Sequence, residues 1–290
     1  MTTILVTGAS GQLGSELREL SSRYGGYGFI FTDTGELDIT NAEATGEFFR
    51  ENSPAWVINC AAYTAVDRAE EEETMATVIN AGGVTNLVNA MKGSECRLIH
   101  ISTDYVFDGT SPVPYTEDDT PSPASAYGRS KLAGEKAALG WPNTMIIRTS
   151  WLYSSYGNNF VKTILGKAGS AQSLSVVFDQ VGSPTYAAGL AAAIMDIISG
   201  VIRNNHNFVP GIFNYSDEGV CSWFDLACEI VREAGSPCTV IPVRSSAWPS
   251  KVRRPAYSVL DKTRIKEHYN INIPHWRTSL IKCITKINRI

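Results

Sequence analysis

Cysteine is scarce: six in 290 residues, none in a CxxC pair and none near a histidine at zinc spacing. That excludes a disulfide framework and a zinc ribbon, and makes reduced thiols in a cytoplasmic protein the expectation. Histidine is scarcer, at four. His100 lies in an apolar run and is expected in the sheet, and His206, His268 and His275 stand isolated among polar residues. An excess of one charge is also lacking. Lys and Arg number 25 against 29 Asp and Glu, a formal net charge of −4. Such a chain is not built to coat nucleic acid or an anionic membrane. No apolar run approaches the roughly 20 residues of a membrane span. The start, MTTILVTGAS, has no basic segment, so no signal peptide is expected. Internal repeats and low-complexity tracts are missing too.

What is present is an ordinary globular composition, 43% hydrophobic and 19% charged. Five short β-rich runs, TTILVTG, GYGFIFTD, AWVINCAA, CRLIHIST and NTMIIRTS, alternate with helical patterns up to residue 150. DITNAEATGEFFRENSP reads as a helix with Thr40 or Asn41 as its N-cap, and ATVINAGGVTNLVNAMKG as helical despite its glycines. Beyond Ser150 the rhythm loosens into further helices, with Ser222 capping one, and short strands LSVVFD and GIFNYS. The pattern predicts an α/β, doubly wound parallel sheet of Rossmann type, with a smaller, discontinuous C-terminal substrate-binding region. Residues 1–150 are expected to form the dinucleotide-binding core, completed by segments within 170–215, and 151–290 mainly the substrate-binding region. The run DRAEEEE (67–73) reads as the solvated start of a helix.

TGASGQLG places Gly8, Gly11 and Gly14 between the first strand and the first helix. Glycine there lets the backbone approach a pyrophosphate at the helix N-terminus, although a bare tight turn also explains the spacing. Asp33 ends the second strand. A carboxylate at that point accepts from a ribose 2′-OH and repels a 2′-phosphate, which favours NADH over NADPH; a plain turn residue is the other reading. Asp38 and Ile39 follow where the adenine would lie. The fourth strand runs into Ser102, Thr103 and Asp104, at the ligand end of such a sheet, and Ala61 and Ala62 end the third.

YGRSK sets Tyr127 and Lys131 four apart, on one face of a helix. At roughly 4–6 Å and an effective dielectric near 20, the ammonium contributes roughly 3–4 kcal/mol toward phenolate. That would bring a phenol of ordinary pKa about 10 toward neutrality and let it exchange a proton with a carbonyl. An ordinary amphipathic face would carry the same spacing.

These pieces, with NCAAYTAVDRAE, STDYVFDG, YGRSKLAGE, RTSWLY, GNNFVKT, DQVGSPT and RRPAYSVL, resemble the extended short-chain dehydrogenase/reductases, and within them the dTDP-4-dehydrorhamnose reductases. The resemblance spans residues 7–260. It implies an NAD(P)H site of Gly11, Gln12, Leu13, Asp33, Asp38, Ile39, Ala62, Tyr63, Thr64, Tyr127 and Lys131. It implies catalysis by Thr103, Tyr127 and Lys131, and a nucleotide-sugar substrate beside Thr103, Asp104, Val106 and Trp151, with Arg254 as a diphosphate or sugar contact. The reaction implied is reduction of a 4-keto sugar. Some members bind Mg²⁺ at a dimer contact through glutamates. Glu16 matches one, whereas YAAGLAAA (186–193) lacks the other, so no residue is assigned to a metal, and both Mg²⁺ and a homodimer stay open. An epimerase or dehydratase of the same fold, or a non-catalytic regulatory subunit, remain alternatives. Trp223 is expected to be packing, and Gln180 a turn residue or a ligand contact.

Overall fold

The computed structural model describes residues 1–247 and 252–289. In the first half, β1 (Thr2–Thr7), α1 (Gln12–Ser21), β2 (Tyr27–Thr32), α2 (Ala42–Asn52) and β3 (Trp56–Asn59) follow one another with short turns. Then come α3 (Val66–Ala69), α4 (Glu73–Thr77), a π-helical turn (Val78–Gly82), α5 (Gly83–Met91), β4 (Arg97–Thr103), α6 (Ala126–Ala138) and β5 (Thr144–Thr149). The second half holds β6 (Leu152–Tyr153), α7 (Phe160–Ala168), β7 (Ser173–Val177), β8 (Val181–Gly182), β9 (Thr185–Tyr186), α8 (Ala187–Ile202) and β10 (Gly211–Asn214). It ends with β11 (Cys221–Ser222), α9 (Trp223–Glu233), β12 (Thr239–Val243), α10 (Thr263–Tyr269) and α11 (Trp276–Ile287).

Six strands form one parallel sheet in the order β2-β1-β3-β4-β5-β10, so the expected doubly wound α/β architecture is found. The period-two alternation of each strand sorts its side chains onto two covered faces. Ile4, Val6, Ile58, Ile99 and Ile147 point into a core shared with α1 and α8. Leu5, Val57, Leu98 and Ile146 point to the opposite face, against α2 and α5. The strand order reverses at β1, with β2 on one side and β3 on the other. The segments that leave β1 and β3 therefore run to opposite faces of the sheet, α1 on one and α5 on the other, and open a crevice at the carboxyl ends.

A second core gathers α7, α9 and α11 around Tyr153, Val161, Leu226, Ile230, Trp276 and Leu280. Its edges are two-stranded pairs, β7 with β12, β8 with β11 and β6 with β9. Local signals set several helix starts. Asn41 accepts from Ala44 N–H at 3.1 Å, which settles the choice between Thr40 and Asn41. Ser222 and Asp225 form a reciprocal capping box on α9.

Candidate active site

A cleft of about 1010 Å³ runs along the carboxyl ends of β1, β2, β3 and β4. Gly8 has φ +66°, and a Cβ there would sit 2.6 Å from the backbone nitrogen of Ala61. A Cβ on Gly14 would sit 2.4 Å from the carbonyl oxygen of Gly8. Only glycines let the β1–α1 turn lie this close to β3 and to its own helix. Gly11 is the N-cap of α1 and makes no side-chain capping bond, and the first turn holds no acidic residue. The first N–H groups of α1 and the positive end of its dipole are thus free of any anionic side chain, beside a concave wall of Gly8, Gly11, Gln12 and Leu13.

Asp33 stands on the same wall and orders the turn. Its carboxylate accepts from Ser10 N–H at 3.1 Å and from Ser10 Oγ at 2.5 Å. Asp38 caps its own turn through Thr40 N–H and Oγ1, at 2.9 and 2.7 Å. Ile39 is buried against Gly83, where a Cβ would reach 2.6 Å from its Cδ1. Ala62 and Thr64 line the opposite side.

The cleft floor is made by the end of β4 and by α6. Thr103 Oγ1 donates to Asp104 Oδ1 at 3.0 Å and accepts from Tyr105 N–H at 3.3 Å. Ser125 caps α6 through Gly128 N–H, and the helix presents Tyr127 and Lys131 to the cleft, one turn apart. Lys131 is 2% exposed, and its Nζ donates to the carbonyl of Ile101 at 2.7 Å. The electrostatics differ from the expectation that the ammonium draws the phenol toward neutrality. Burial pushes the Tyr127 phenol up, with Thr103 opposing and Asp104 adding to it. Burial likewise pushes Lys131 down to about 8. The reason is desolvation: the same apolar packing that holds the two side chains on one face disfavours charge on either. Asp104, also buried, is pushed up to about 6 by desolvation, with Ser258 and Thr103 opposing.

Toward the second core, Trp151 adopts φ +48°, a left-handed conformation that costs a non-glycine residue of order 1–3 kcal/mol. Its indole stacks on Trp223 at 3.6 Å between centroids, and both rings line the cleft. Trp223 is therefore part of the wall and not packing alone. Arg254 lines the mouth and pairs with Asp67 through Nη2. Gln180 donates to Ser245 Oγ at 2.9 Å, away from the cleft.

Two expected contacts lie off this wall. Val106 is fully buried among Phe107, Tyr115 and Leu260. Tyr63 has its backbone N–H on Asn80 Oδ1 at 2.8 Å, and its phenol donates to Glu72 at 2.6 Å. Glu16 does not fit a metal ligand. One oxygen accepts from Ser154 Oγ at 2.6 Å and the other from Lys286 Nζ at 2.7 Å. No group of three or more His, Cys, Asp or Glu able to hold a metal ion occurs among the described residues.

Other residues, to which the sequence assigned no role at the site, support it. Glu135 and Arg148, at 2% and 1% side-chain exposure, form a two-pronged ion pair at 2.9 and 2.7 Å, and Ser102 Oγ donates to Glu135 at 2.6 Å. The pair locks α6 to β4 and β5. The acidic run does more than face solvent: Glu70 accepts from Ala126 N–H at 2.8 Å at the start of α6, and Glu73 pairs with Arg129. His100 sits at 0% exposure, its Nδ1 at 3.0 Å from Asn59 Nδ2, and burial holds its pKa well below the usual value. All six cysteines are free. No described helix is long and apolar enough to cross a membrane.

The family described as RmlD substrate binding domain matches residues 1–289. The spore coat polysaccharide biosynthesis protein SpsK of Bacillus subtilis is 41% identical over 284 residues, 97% of this chain and 96% of that protein. A dTDP-4-dehydrorhamnose reductase structure from Clostridium acetobutylicum is 41% identical, with a TM-score of 0.93 over 99% of this chain and 100% of that one. A Bacillus anthracis dTDP-4-dehydrorhamnose reductase in complex with NADP is 38% identical, again with a TM-score of 0.93 over 99% and 100% of the two chains.

Proposed function

The chain belongs to the RmlD substrate-binding-domain family, and on that premise we propose that it reduces the 4-keto group of dTDP-4-dehydro-L-rhamnose to give dTDP-L-rhamnose. The observation that carries the reading is one wall on which a glycine-lined helix N-terminus, Thr103, Tyr127 and Lys131 converge. The cradle fits a nicotinamide dinucleotide, because the uncapped start of α1 and the close approach of Gly8 to Ala61 suit a pyrophosphate. Gly8, Gly11, Gln12 and Leu13 would hold it there, with Asp33 at the adenosine ribose, Asp38 and Ile39 at the adenine, and Ala62 and Thr64 along its length. When bound, it supplies hydride to the sugar carbon.

The chain's own residues supply the rest. Tyr127 gives its phenolic proton to the carbonyl oxygen; burial keeps that proton on the phenol until an alkoxide develops to take it. Thr103, whose hydroxyl lies within hydrogen-bond reach of the phenol, would turn its proton from Asp104 to the phenol oxygen and steady the negative charge as the phenol gives up its own proton. Lys131 has three N–H donors and spends one on Ile101, which leaves others for the ribose and for stabilising phenolate as it forms. Asp104, which lines the cleft beside Thr103, would accept a sugar hydroxyl. Trp151 packs on the sugar, and Arg254 faces the diphosphate. Asp33 favours NADH over NADPH.

Two features support reduction over dehydration. Thr103-Asp104 is followed by Tyr105, so a second carboxylate is missing, and burial pushes the Tyr105 phenol up to about 12, unsuited to act as a base. We also read residues 1–150, completed within 170–215, as the cofactor-binding part. Support comes from α8 and β10, which join the core of the central sheet, while the second core lies between Tyr153 and Ile284. The same reading makes the enzyme cytoplasmic, as a monomer or homodimer. Incubation with NADH and the keto sugar, with NMR of the product, tests it: dTDP-L-rhamnose is expected, and an unchanged sugar or a C4 epimer of a substrate without net NADH loss would overturn it.

A further inference from the structure

Arg254 and Asp67 are far apart in sequence, yet they meet at the mouth of the cleft. Nη2 of Arg254 donates to both carboxylate oxygens, at 3.0 and 2.8 Å. The arginine side chain is 34% exposed and the aspartate 58%. Both contacts use one nitrogen, so the paired-nitrogen fork through which guanidinium binds carboxylate or phosphate most strongly is not engaged by Asp67. A half-exposed pair of this geometry is weak. The backbone next to Arg254 is nonetheless fixed. A Cβ on Gly109 would meet Pro255 Cα at 2.5 Å, Val181 N–H donates to Ala256 O at 2.8 Å, and Tyr257 N–H to Gly109 O at 3.1 Å. Any movement of the guanidinium is therefore a rotation of its side chain. Val66, the neighbour of Asp67, lines the cleft together with Arg254 and Tyr105, so an anion entering here meets the same guanidinium.

We infer that Asp67 is an exchangeable counter-ion: it holds Arg254 across the cleft mouth and is displaced from it by the diphosphate of the nucleotide sugar. The inference rests on the function proposed above and adds the residue that tunes substrate and product affinity. A diphosphate offers several anionic oxygens to the fork that Asp67 leaves unengaged, in competition with the neutral Tyr105 hydroxyl, whereas Asp67 offers a one-nitrogen contact, so the exchange runs toward the ligand. The aspartate's cost to binding is the contact that must be broken, and removing it should tighten nucleotide binding.

Calorimetric titration of thymidine diphosphate into four full-length proteins tests this: wild type, Asp67→Asn, Arg254→Met and the double variant, with Asp67→Ser as a second replacement should Asp67→Asn fold poorly. Asp67→Asn is expected to lower the Kd at least about threefold, and the same change in the Arg254→Met background is expected to do nothing. An unchanged or weaker Kd for Asp67→Asn overturns the exchange, as does equal tightening in both backgrounds, which would reduce Asp67 to a diffuse negative charge. Wild type that binds thymidine diphosphate while Asp67→Asn leaves the Kd unmoved sinks the exchange alone. Wild type that does not bind it at millimolar concentration sinks the proposed substrate as well.

Discussion

The ammonium of Lys131 lies 2.7 Å from the carbonyl oxygen of Ile101, inside a helix–strand contact that leaves the lysine 2% exposed. This placement ties the side chain proposed to serve cofactor and phenol to the sheet and buries its charge, so on that proposal function and stability oppose each other at one atom.

Burial moves Lys131 from 10.5 down to about 8. Between those values the unfolded chain holds the extra proton, so the stability contributed by this group rises with pH across that window and is least below about 8. The burden at neutral pH is roughly 3 kcal/mol by linkage. Lys131→Met is expected to lose most turnover and to weaken cofactor binding, yet to melt no lower than wild type at pH 7. Its relative advantage should shrink as pH rises from 8 toward 10. Thermal melts across that range check it; a deficit at pH 7 that does not vary with pH would show that the bond to Ile101 outweighs the buried charge.

Tyr127→Phe removes the phenolic hydroxyl and keeps the ring. A loss of about 10²–10⁴-fold in kcat is expected, with NADH affinity nearly unchanged. Because burial raises this phenol, it should carry its proton in the free enzyme beyond the ordinary tyrosine range. Ultraviolet difference titration, wild type minus Tyr127→Phe, should then show no phenolate signal below pH ~10. A transition near neutrality would restore the simple picture in which Lys131 acidifies the phenol.

Asp33→Asn keeps an acceptor for Ser10 but removes the charge that opposes a 2′-phosphate. One charge at ~5 Å and an effective dielectric near 20 is worth ~3 kcal/mol, and salt will screen part of it. The ratio of kcat/KM for NADPH over NADH should rise at least about tenfold. An unmoved ratio places this carboxylate away from the ribose.

Arg148→Met leaves Glu135 buried with Ser102 as its remaining side-chain donor. Breaking a buried ion pair from one side typically costs about 3–5 kcal/mol. Urea unfolding should show a loss of that order, and a loss under 1 kcal/mol would mean that Glu135 protonates or rehydrates at little cost.

How much of this was legible beforehand follows from burial. The five first strands and the helix of Tyr127 are readable because each strand centres on a short apolar run and the helix carries its own Ser125 cap. Strand β12 is not: Pro242 interrupts it, Ile241 is 42% exposed, and its partner β7 is chosen by the second core instead of by local pattern. Adjacency on a helix was visible for Tyr127 and Lys131, but the desolvation that reverses their expected electrostatics depends on what packs over them. Val106 follows Thr103 and Asp104 in the same motif, yet the 3₁₀ turn of Asp104–Val106 points it into the core. Trp223 lines the cleft stacked on Trp151, whose left-handed backbone no local pattern announces. Glu135 and Arg148 lie in YGRSKLAGE and RTSWLY, but nothing in those strings shows that the two side chains meet.

Hydride destination is the most direct test of the proposed reaction. NADH deuterated at the transferred position of nicotinamide C4 would be incubated with dTDP-4-dehydro-L-rhamnose and the product read by NMR. One deuterium at sugar C4 per NADH consumed is the expected result, with no 4-keto-6-deoxy sugar formed from dTDP-glucose. Deuterium at another carbon, or conversion of dTDP-glucose with the cofactor recycled, would contradict it.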